Sequence, residues 1–220
     1  RNQELLKTLI EDAARNPGTD PDRRRVGNFY GSCMDETAVE KAGLAPLAPW
    51  FAKIDAARDR DALFALAGEL QTINTAPYFD VQIFADLKDP NTTVAHFVQG
   101  GLGLPERDYY LSPAEDKKAL RGKYEEHLAR MLVFAGATPE SAAARAKSIL
   151  AFETALATAS RPVERMRIVE ELHNRLDAEG LAKLAPSLPW SRFFAASGRA
   201  DMTEINVMTP EYFTALAAEL

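Results

Sequence analysis

Apolar residues recur at the spacing of an α-helix over most of this chain. The pattern begins at once, with Leu5, Leu6, Leu9, Ile10 and Ala13. After a turn at residues 16–19, a second helical face follows with Val26, Phe29, Tyr30 and Cys33. Its spacing predicts that Cys33 is a core residue. A third helix is predicted by Leu63, Leu66, Ala67, Leu70 and Ile73, with Asp59 or Asp61 as its N-cap.

The period of the pattern changes to two residues between Phe79 and Leu87. A second run, at residues 93–98, is rich in β-branched side chains. These two runs predict a β-hairpin with a loop of several residues. The predicted fold class is therefore mainly α, a multi-helix domain with one small β-hairpin at about residues 79–98.

Helical periodicity returns after residue 111. The tetrapeptide Ser112-Pro113-Ala114-Glu115 has the form of a capping box with proline at the first helical position. It predicts a helix that ends at Gly136, with an inward face of Leu120, Tyr124, Leu128, Met131 and Ala135. Thr138 and Pro139 open the next helix, which runs to about Ala159. From Arg161 onward, prolines and glycines predict shorter helical pieces.

Composition and charge exclude several classes of protein. The 26 basic and 32 acidic residues give a net charge of −6, which argues against a nucleic-acid binder. The basic run at residues 23–25 is interpreted as the solvated face of a helix. No apolar run approaches the ~18 residues that span a bilayer. The chain begins at Arg1 without methionine and stops at Leu220 within a helical pattern, which favours a fragment.

The sequence offers little catalytic chemistry of its own. His96, His127 and His173 are far apart and form no H-E-x-x-H motif, so His96 and His127 are interpreted as structural histidines. Ser32 lacks the glycines of a nucleophile elbow. Adjacent carboxylates such as Glu125 and Glu126 diverge by about 100° on a helix. The chain is therefore predicted to hold no catalytic residue and no metal ligand.

The least ordinary segment is Gly100–Tyr110, GGLGLPERDYY, which combines three glycines, a proline and two tyrosines. It has neither the lysine nor the serine or threonine of a phosphate-binding loop. Its residues 102–111, LGLPERDYYL, resemble the signature L-G-L-P-x-R-D-Y-Y of the neprilysin family of zinc metalloendopeptidases. Four other segments resemble family segments in the same order, namely residues 29–36, 84–98, 155–162 and 210–213.

The resemblance covers nearly the whole chain and implies its place in a larger enzyme. It implies that residues 1–220 are the N-terminal helical lid region, lying over a central cavity. The catalytic zinc domain would follow beyond this chain, where family members carry H-E-x-x-H and E-x-x-x-D. Zinc is thus expected in the parent enzyme and not in this chain. The lid would admit small peptides and exclude folded proteins, and the chain alone is predicted to be inactive.

The resemblance also suggests partners and a compartment. The expected partners are the C-terminal catalytic domain of the same protein and a peptide substrate, with no nucleic acid and no membrane contact by this segment. Family members work outside the cytoplasm, so an extracytoplasmic location is expected. The abundance of alanine and arginine and the single cysteine favour a bacterial protein. Vertebrate members pair the cysteine matching Cys33 with one far downstream, and a free thiol is equally compatible with this chain.

Two alternatives stay open at this point. In the loop, Arg107 either bonds backbone groups together with Asp108, while Tyr109 and Tyr110 pack beneath the following helix, or it contacts bound peptide. Order in an irregular loop requires satisfied polar groups, which favours the structural role. For the whole chain, the alternative to a protease lid is a stand-alone helical module that binds peptides or proteins. The reading frame after Leu220 distinguishes the two.

Overall fold

A computed structural model describes all 220 residues. The chain contains twelve α-helices and four short strands, which confirms the mainly α prediction. It divides into two compact units, Arg1–Ala52 and Lys53–Leu220. None of the helices combines the length and the apolar character that crossing a membrane requires.

The first unit is built on two helices whose backbones approach closely. Its elements are α1 (Asn2–Arg15), α2 (Pro21–Met34), α3 (Glu36–Ala42), a 3₁₀ turn (Ala45–Leu47) and the beginning of α4 (Ala48–Ala56). The α1–α2 contact depends on Gly27, where an added Cβ would overlap the carbonyl of Ala13. Asp20 caps α2 by accepting hydrogen bonds from the backbone N–H groups of Asp22 and Arg23.

The prediction that Cys33 is a core residue is wrong, because its side chain is exposed. Helix α2 meets α1 at Gly27, and the apolar row beside that contact stays at the surface of this unit. Phe29 is 74% exposed and Val26 is 45% exposed. Together with Ile10 and Tyr30 they line an apolar cleft of about 400 Å³ that includes Cys33.

The second unit surrounds a small mixed sheet. Its helices are α5 (Arg60–Gln71), α6 (Asp108–Leu111), α7 (Glu115–Phe134), α8 (Pro139–Ala159), α9 (Val169–Leu172), α10 (Ala178–Leu184), α11 (Trp190–Ala196) and α12 (Pro210–Glu219). Its strands are β1 (Phe79–Ala85), β2 (Thr93–Gln99), β3 (Arg175–Asp177) and β4 (Glu204–Val207). A 3₁₀ turn occupies Arg165–Arg167. The strand order is β1-β2-β4-β3, with β2 and β4 parallel and the other pairs antiparallel.

The predicted hairpin is confirmed as β1 and β2. The sequence did not indicate β3 and β4, which have three and four residues. One sheet face carries the main core, in which Phe79 and Phe97 pack against aromatic residues of α11 and α12. The members of this core with no exposed surface include Phe64, Phe97, Leu156, Val207, Tyr212, Phe213 and Leu216.

Helix boundaries agree with the sequence at several points and differ at one. Asp59 caps α5, accepting a 2.8 Å bond from Ala62 N–H, and Thr138 caps α8 as predicted. The capping box at residues 112–115 is wrong: α7 begins at Glu115, after Ala114. Ser112 instead ends α6, and its hydroxyl accepts a bond from Ala114 N–H. The expected inward face of α7 is also partly wrong, since Met131 is 49% exposed.

Candidate functional site

The candidate site is a groove of about 830 Å³ beside the glycine loop, residues 100–107. The groove lies entirely within the second unit. Strand β1, the glycine loop and the segment after α8 form its walls, and their polar members include Asp80, Gln82, Gln99, Glu106, Arg107 and Arg161. A cleft of this size, with backbone and polar side chains together, is a typical binding site.

Close backbone packing fixes the floor of the glycine loop. Gly101 has φ +68°, and an added Cβ would lie 2.8 Å from the carbonyl oxygen of Pro77. The Tyr212 hydroxyl lies 2.6 Å from the carbonyl oxygen of Tyr78 and 2.9 Å from that of Gly100. Tyr212, a fully buried residue of α12, therefore joins the segment before β1 to the start of the glycine loop. The loop is an ordered wall of the groove.

A buried carboxylate organises the signature segment. Glu153 of α8 is 8% exposed and accepts hydrogen bonds from the hydroxyls of Tyr110, at 2.6 Å, and Tyr124, at 3.0 Å. The Tyr110 oxygen also accepts a 2.7 Å bond from Leu104 N–H. Burial, followed by the Glu153 charge, raises the pKa of both phenols. They therefore stay protonated and continue to donate to the carboxylate.

Gly103 of the loop lies directly against Tyr124 of this cluster. A Cβ on Gly103 would overlap the Tyr124 hydroxyl. The side chains of Tyr110, Tyr124 and Glu153 thus fill the space under the loop, and only a glycine fits above them. The structural interpretation of the loop expected Tyr110 to pack beneath the following helix, and it did not identify Tyr124 or Glu153.

Arg107, for which the sequence left a structural role and a substrate-contacting role open, lies at the edge of the groove. Its Nε donates a 3.3 Å bond to the Ala157 carbonyl oxygen, and its Nη1 lies 3.6 Å from Asp108 Oδ1. The side chain is 24% exposed. One edge of the guanidinium thus bonds backbone, as the structural interpretation expected, and Asp108 makes no backbone bond through its side chain. Arg121 takes that role, donating to the carbonyls of Tyr109 and Ser112.

Arg161 forms the rear of the groove and was not identified from the sequence. Its guanidinium forms a two-point ion pair with Glu211 and donates to the carbonyls of Glu171 and Met208. Its backbone N–H and C=O both bond the Gln99 side chain. Arg161 therefore links α12, through Glu211, to strand β2, through Gln99. The only sequence signal was its position in the family-like segment at residues 155–162.

Asp80 is the one groove carboxylate on β1. Its side chain makes no hydrogen bond and no ion pair in this structure, in contrast to Glu153 and Asp86. Partial burial raises its pKa. A carboxylate in this condition gains stability from an incoming cation or hydrogen-bond donor.

A second polar cluster covers the sheet face opposite the aromatic core. Asp86 is 6% exposed and accepts bonds from Lys88 and Asp89 N–H, His173 Nε2 and Arg175 Nη1. The bonds from Lys88 and Arg175 hold the pKa of Asp86 well below its usual range. Hydrogen-bond donors therefore surround the Asp86 carboxylate, and the Arg175 guanidinium neutralises its charge.

The histidines lie in three different settings. His96 is fully buried, stacks on Phe84 with ring centres 3.6 Å apart, and accepts a 3.0 Å bond from Asn206 at Nδ1. Burial lowers its pKa. His173 bonds Asp86, and His127 is exposed. No group of three histidine, cysteine, aspartate or glutamate side chains is arranged to hold a metal ion.

Comparison with known proteins relates this fold to zinc peptidases. Residues 1–220 match the N-terminal region of peptidase family M13. The chain is 34% identical over 202 residues to endothelin-converting enzyme 1 of Cavia porcellus, covering 87% of this chain and 26% of that protein. It is 28% identical over 203 residues to neprilysin-3 of Drosophila melanogaster, covering 88% of this chain and 26% of that protein.

Solved structures agree with the sequence comparison. The zinc metalloprotease Zmp1 of Mycobacterium tuberculosis in its open state matches with a TM-score of 0.90 and 33% identity, over 98% of this chain and 34% of that one. Its inhibitor complex matches with a TM-score of 0.89. PepO of Lactobacillus rhamnosis shares the fold at 14% identity and a TM-score of 0.80. The chain thus spans about a quarter of its curated relatives and a third of these structures.

Proposed function

Because the chain belongs to peptidase family M13, we propose that it is the N-terminal lid region of a zinc-dependent metalloendopeptidase that hydrolyses small peptides. The observation that carries this proposal is the match of all 220 residues to the N-terminal region of the family. It is supported by the TM-score of 0.90 to a zinc metalloprotease of which the chain covers 34%. The remaining two thirds of such a protein would supply the metal chemistry.

The side chains of this region do not fit a catalytic zinc ion. The nearest arrangement of a histidine and a carboxylate is His173 with Asp86, and Arg175 is bonded to that carboxylate at 2.6 Å. A resident guanidinium both occupies the carboxylate and repels a divalent cation. We therefore assign zinc to a C-terminal catalytic domain, the partner of this region, and none to residues 1–220.

The role of the lid would be steric exclusion. Its loop wall is held in place because Tyr212 of α12 bonds Gly100, and Glu153 of α8 bonds Tyr110, which in turn bonds Leu104. A rigid wall admits short flexible peptides to an enclosed cavity and excludes folded proteins. Such enclosure also keeps bulk water away from the reacting groups.

Within this region, we propose that Arg107 contacts the substrate. It lies on the groove wall with part of its guanidinium unbonded, and a guanidinium pairs well with a peptide carboxylate or carbonyl. Replacing Arg107 with alanine in the full-length enzyme should raise KM for a short peptide several-fold with little change in kcat. Arg107→Lys should restore part of the affinity. An unchanged KM in both variants would leave Arg107 with only its bond to Ala157.

The proposal is tested with two proteins, the full gene product and residues 1–220 alone. The frame after Leu220 should encode H-E-x-x-H and E-x-x-x-D, and the full product should hold zinc and cleave a short peptide. Embedding the same peptide in a rigid folded domain should protect it. The 220-residue chain should hold no zinc and cleave neither substrate. A stop codon directly after Leu220 would instead support the stand-alone interaction module.

Location and source are part of the same proposal. An extracytoplasmic site of action, secreted, periplasmic or membrane-anchored, follows from the neprilysin resemblance, and the composition favours a bacterial protein. Fractionation of the native source with antibody against this region would check the location. Recovery in the cytoplasm would contradict it.

A further inference from the structure

Strand β1 leaves one edge of the sheet open. It is the terminal strand, with only β2 beside it. The neighbouring Asp86 N–H bonds Thr92 O, which continues the β1–β2 register and places the even-numbered residues of β1 in the bonded positions. The backbone N–H and C=O groups of Val81 and Ile83 therefore point away from β2. They form an unpaired row that can accept another strand.

A cleft flanks this edge on each face of the sheet. On one face lies the groove of about 830 Å³ described above, which contains Asp80. On the other lies a cleft of about 860 Å³ that contains Ile83, Phe193 and Phe194. Val81 borders both. Side chains of a strand alternate between faces, so a strand added here would place successive side chains in the two clefts.

The two clefts differ in chemistry. Ile83 is 64% exposed, and the adjacent phenylalanines give the second cleft an apolar wall. The charged residues of this cleft are paired with each other, Arg175 with Glu204 and Arg199 with Asp201. The first cleft offers Asp80, a carboxylate without any partner, and Glu106. Of its arginines, Arg161 is paired with Glu211, and Arg107 bonds the Ala157 carbonyl and lies 3.6 Å from Asp108, which leaves only part of its guanidinium unbonded. The complement is an extended peptide with apolar side chains on one face and basic side chains on the other.

We infer that the edge of β1 is a binding site for an extended peptide, which adds a fifth strand to the sheet and directs a basic side chain to Asp80. In this mode main-chain bonds give affinity, and the alternating clefts give selectivity. The inference rests on the proposed function in taking a peptide as ligand. It concerns binding to this region, and cleavage by the zinc domain is a separate measurement.

The test uses the 220-residue chain and a fluorescein-labelled peptide of about eight alternating valine and lysine residues. Fluorescence anisotropy should show saturable binding. Replacing lysine with glutamate should abolish it. Methylating the backbone nitrogen of every second residue should abolish binding for one of the two alternating sets only, because only one set faces β1. Both methylated peptides keep their charge, so equal binding by the two would overturn strand addition.

Protein variants locate the site. Val81→Pro removes an outward N–H without touching the β1–β2 ladder and should weaken binding about tenfold. Asp80→Asn should weaken binding of the lysine peptide about threefold and leave a glutamine analogue unchanged. If Val81→Pro disturbs the circular dichroism spectrum, the methylated peptides decide. Absence of any peptide binding would overturn this inference, while zinc content and cleavage by the full gene product would still support the proposed function.

Discussion

The Tyr110 hydroxyl donates a 2.6 Å hydrogen bond to Glu153, 43 residues later in the chain. The same oxygen accepts the Leu104 N–H, so a single atom joins the signature loop to helix α8. Tyr110→Phe would leave a buried carboxylate oxygen and a buried N–H without partners. We expect the free energy of unfolding to fall by about 1–3 kcal/mol, measured by urea denaturation.

Tyr109 supplies the matched control for that variant. Its ring lies under the Lys117 ammonium, 3.5 Å from the ring centre, and its hydroxyl makes no hydrogen bond. Tyr109→Phe keeps the ring and should change stability by less than about 0.5 kcal/mol. Equal losses in the two variants would contradict a specific role for the Tyr110–Glu153 bond.

Two glycines, one in the signature loop and one within a helix, should respond in opposite ways to alanine. At Gly103 the new methyl group overlaps the Tyr124 hydroxyl, so Gly103→Ala should destabilise the chain by about 1–3 kcal/mol. At Gly122, within α7, a methyl group meets nothing within 4 Å. Gly122→Ala should stabilise by up to about 1 kcal/mol. Thermal unfolding of both variants checks the sign of each effect.

Low pH should reduce the folding stability of this chain through protonation of Asp86. Its folded-state pKa lies below the value of about 3.9 expected in the unfolded chain. The unfolded state therefore binds the proton more readily, and the stabilisation from Asp86, complete above about pH 5, is lost as pH falls below the unfolded pKa. Asp86→Asn should lower Tm at neutral pH and flatten its dependence on pH between about 5 and 3. A parallel downward shift at every pH would contradict this account.

Buried His96 should make folding stability depend on pH at somewhat higher pH, about 6.5. Burial lowers its pKa, so the folded state keeps the ring neutral while the unfolded chain takes up a proton near its usual value of about 6.5. Stability should therefore decline as pH falls below about 6.5. Nuclear magnetic resonance titration of the His96 ring protons should give a midpoint below the usual histidine pKa of about 6.5. A midpoint at or above that value would exclude this contribution.

Cys33 should react as an accessible thiol. It is the only cysteine and its side chain is exposed. We expect a thiol reagent such as dithionitrobenzoate to modify one group per native chain, at a rate within about tenfold of that in denaturant. In the full gene product, loss of this reaction would show that further residues cover Cys33 or that it forms a disulfide with another cysteine. A native 220-residue chain that resists the reagent would contradict the exposed position.

The sequence predicted elements whose signal is local. The hairpin was evident because β1 and β2 each have seven residues, enough for a two-residue period to appear. Strands β3 and β4 are too short to show a period, and their pairing joins segments far apart in the chain. The burial of Cys33 was overestimated because periodicity identifies an apolar face without showing what packs against it.

The groove was less accessible to sequence reasoning. Family resemblance drew attention to Arg107, but Arg161 owes its role to Glu211, 50 residues later, and to distant backbone carbonyls. Asp80 stands out only because its carboxylate lies in the groove without a hydrogen bond or an ion pair. Such a property belongs to the folded arrangement and has no local sequence pattern.

The parallel pairing of β2 with β4 joins Ala95 to Ile205. During synthesis, the hairpin leaves the ribosome more than 100 residues before its partner strand and the α12 side chains that bury Phe97. Closing so long a loop makes this sheet slow to form. Until α12 emerges, the aromatic residues of the hairpin stay exposed in the nascent chain and favour its aggregation. Chaperones should bind the nascent chain at these residues.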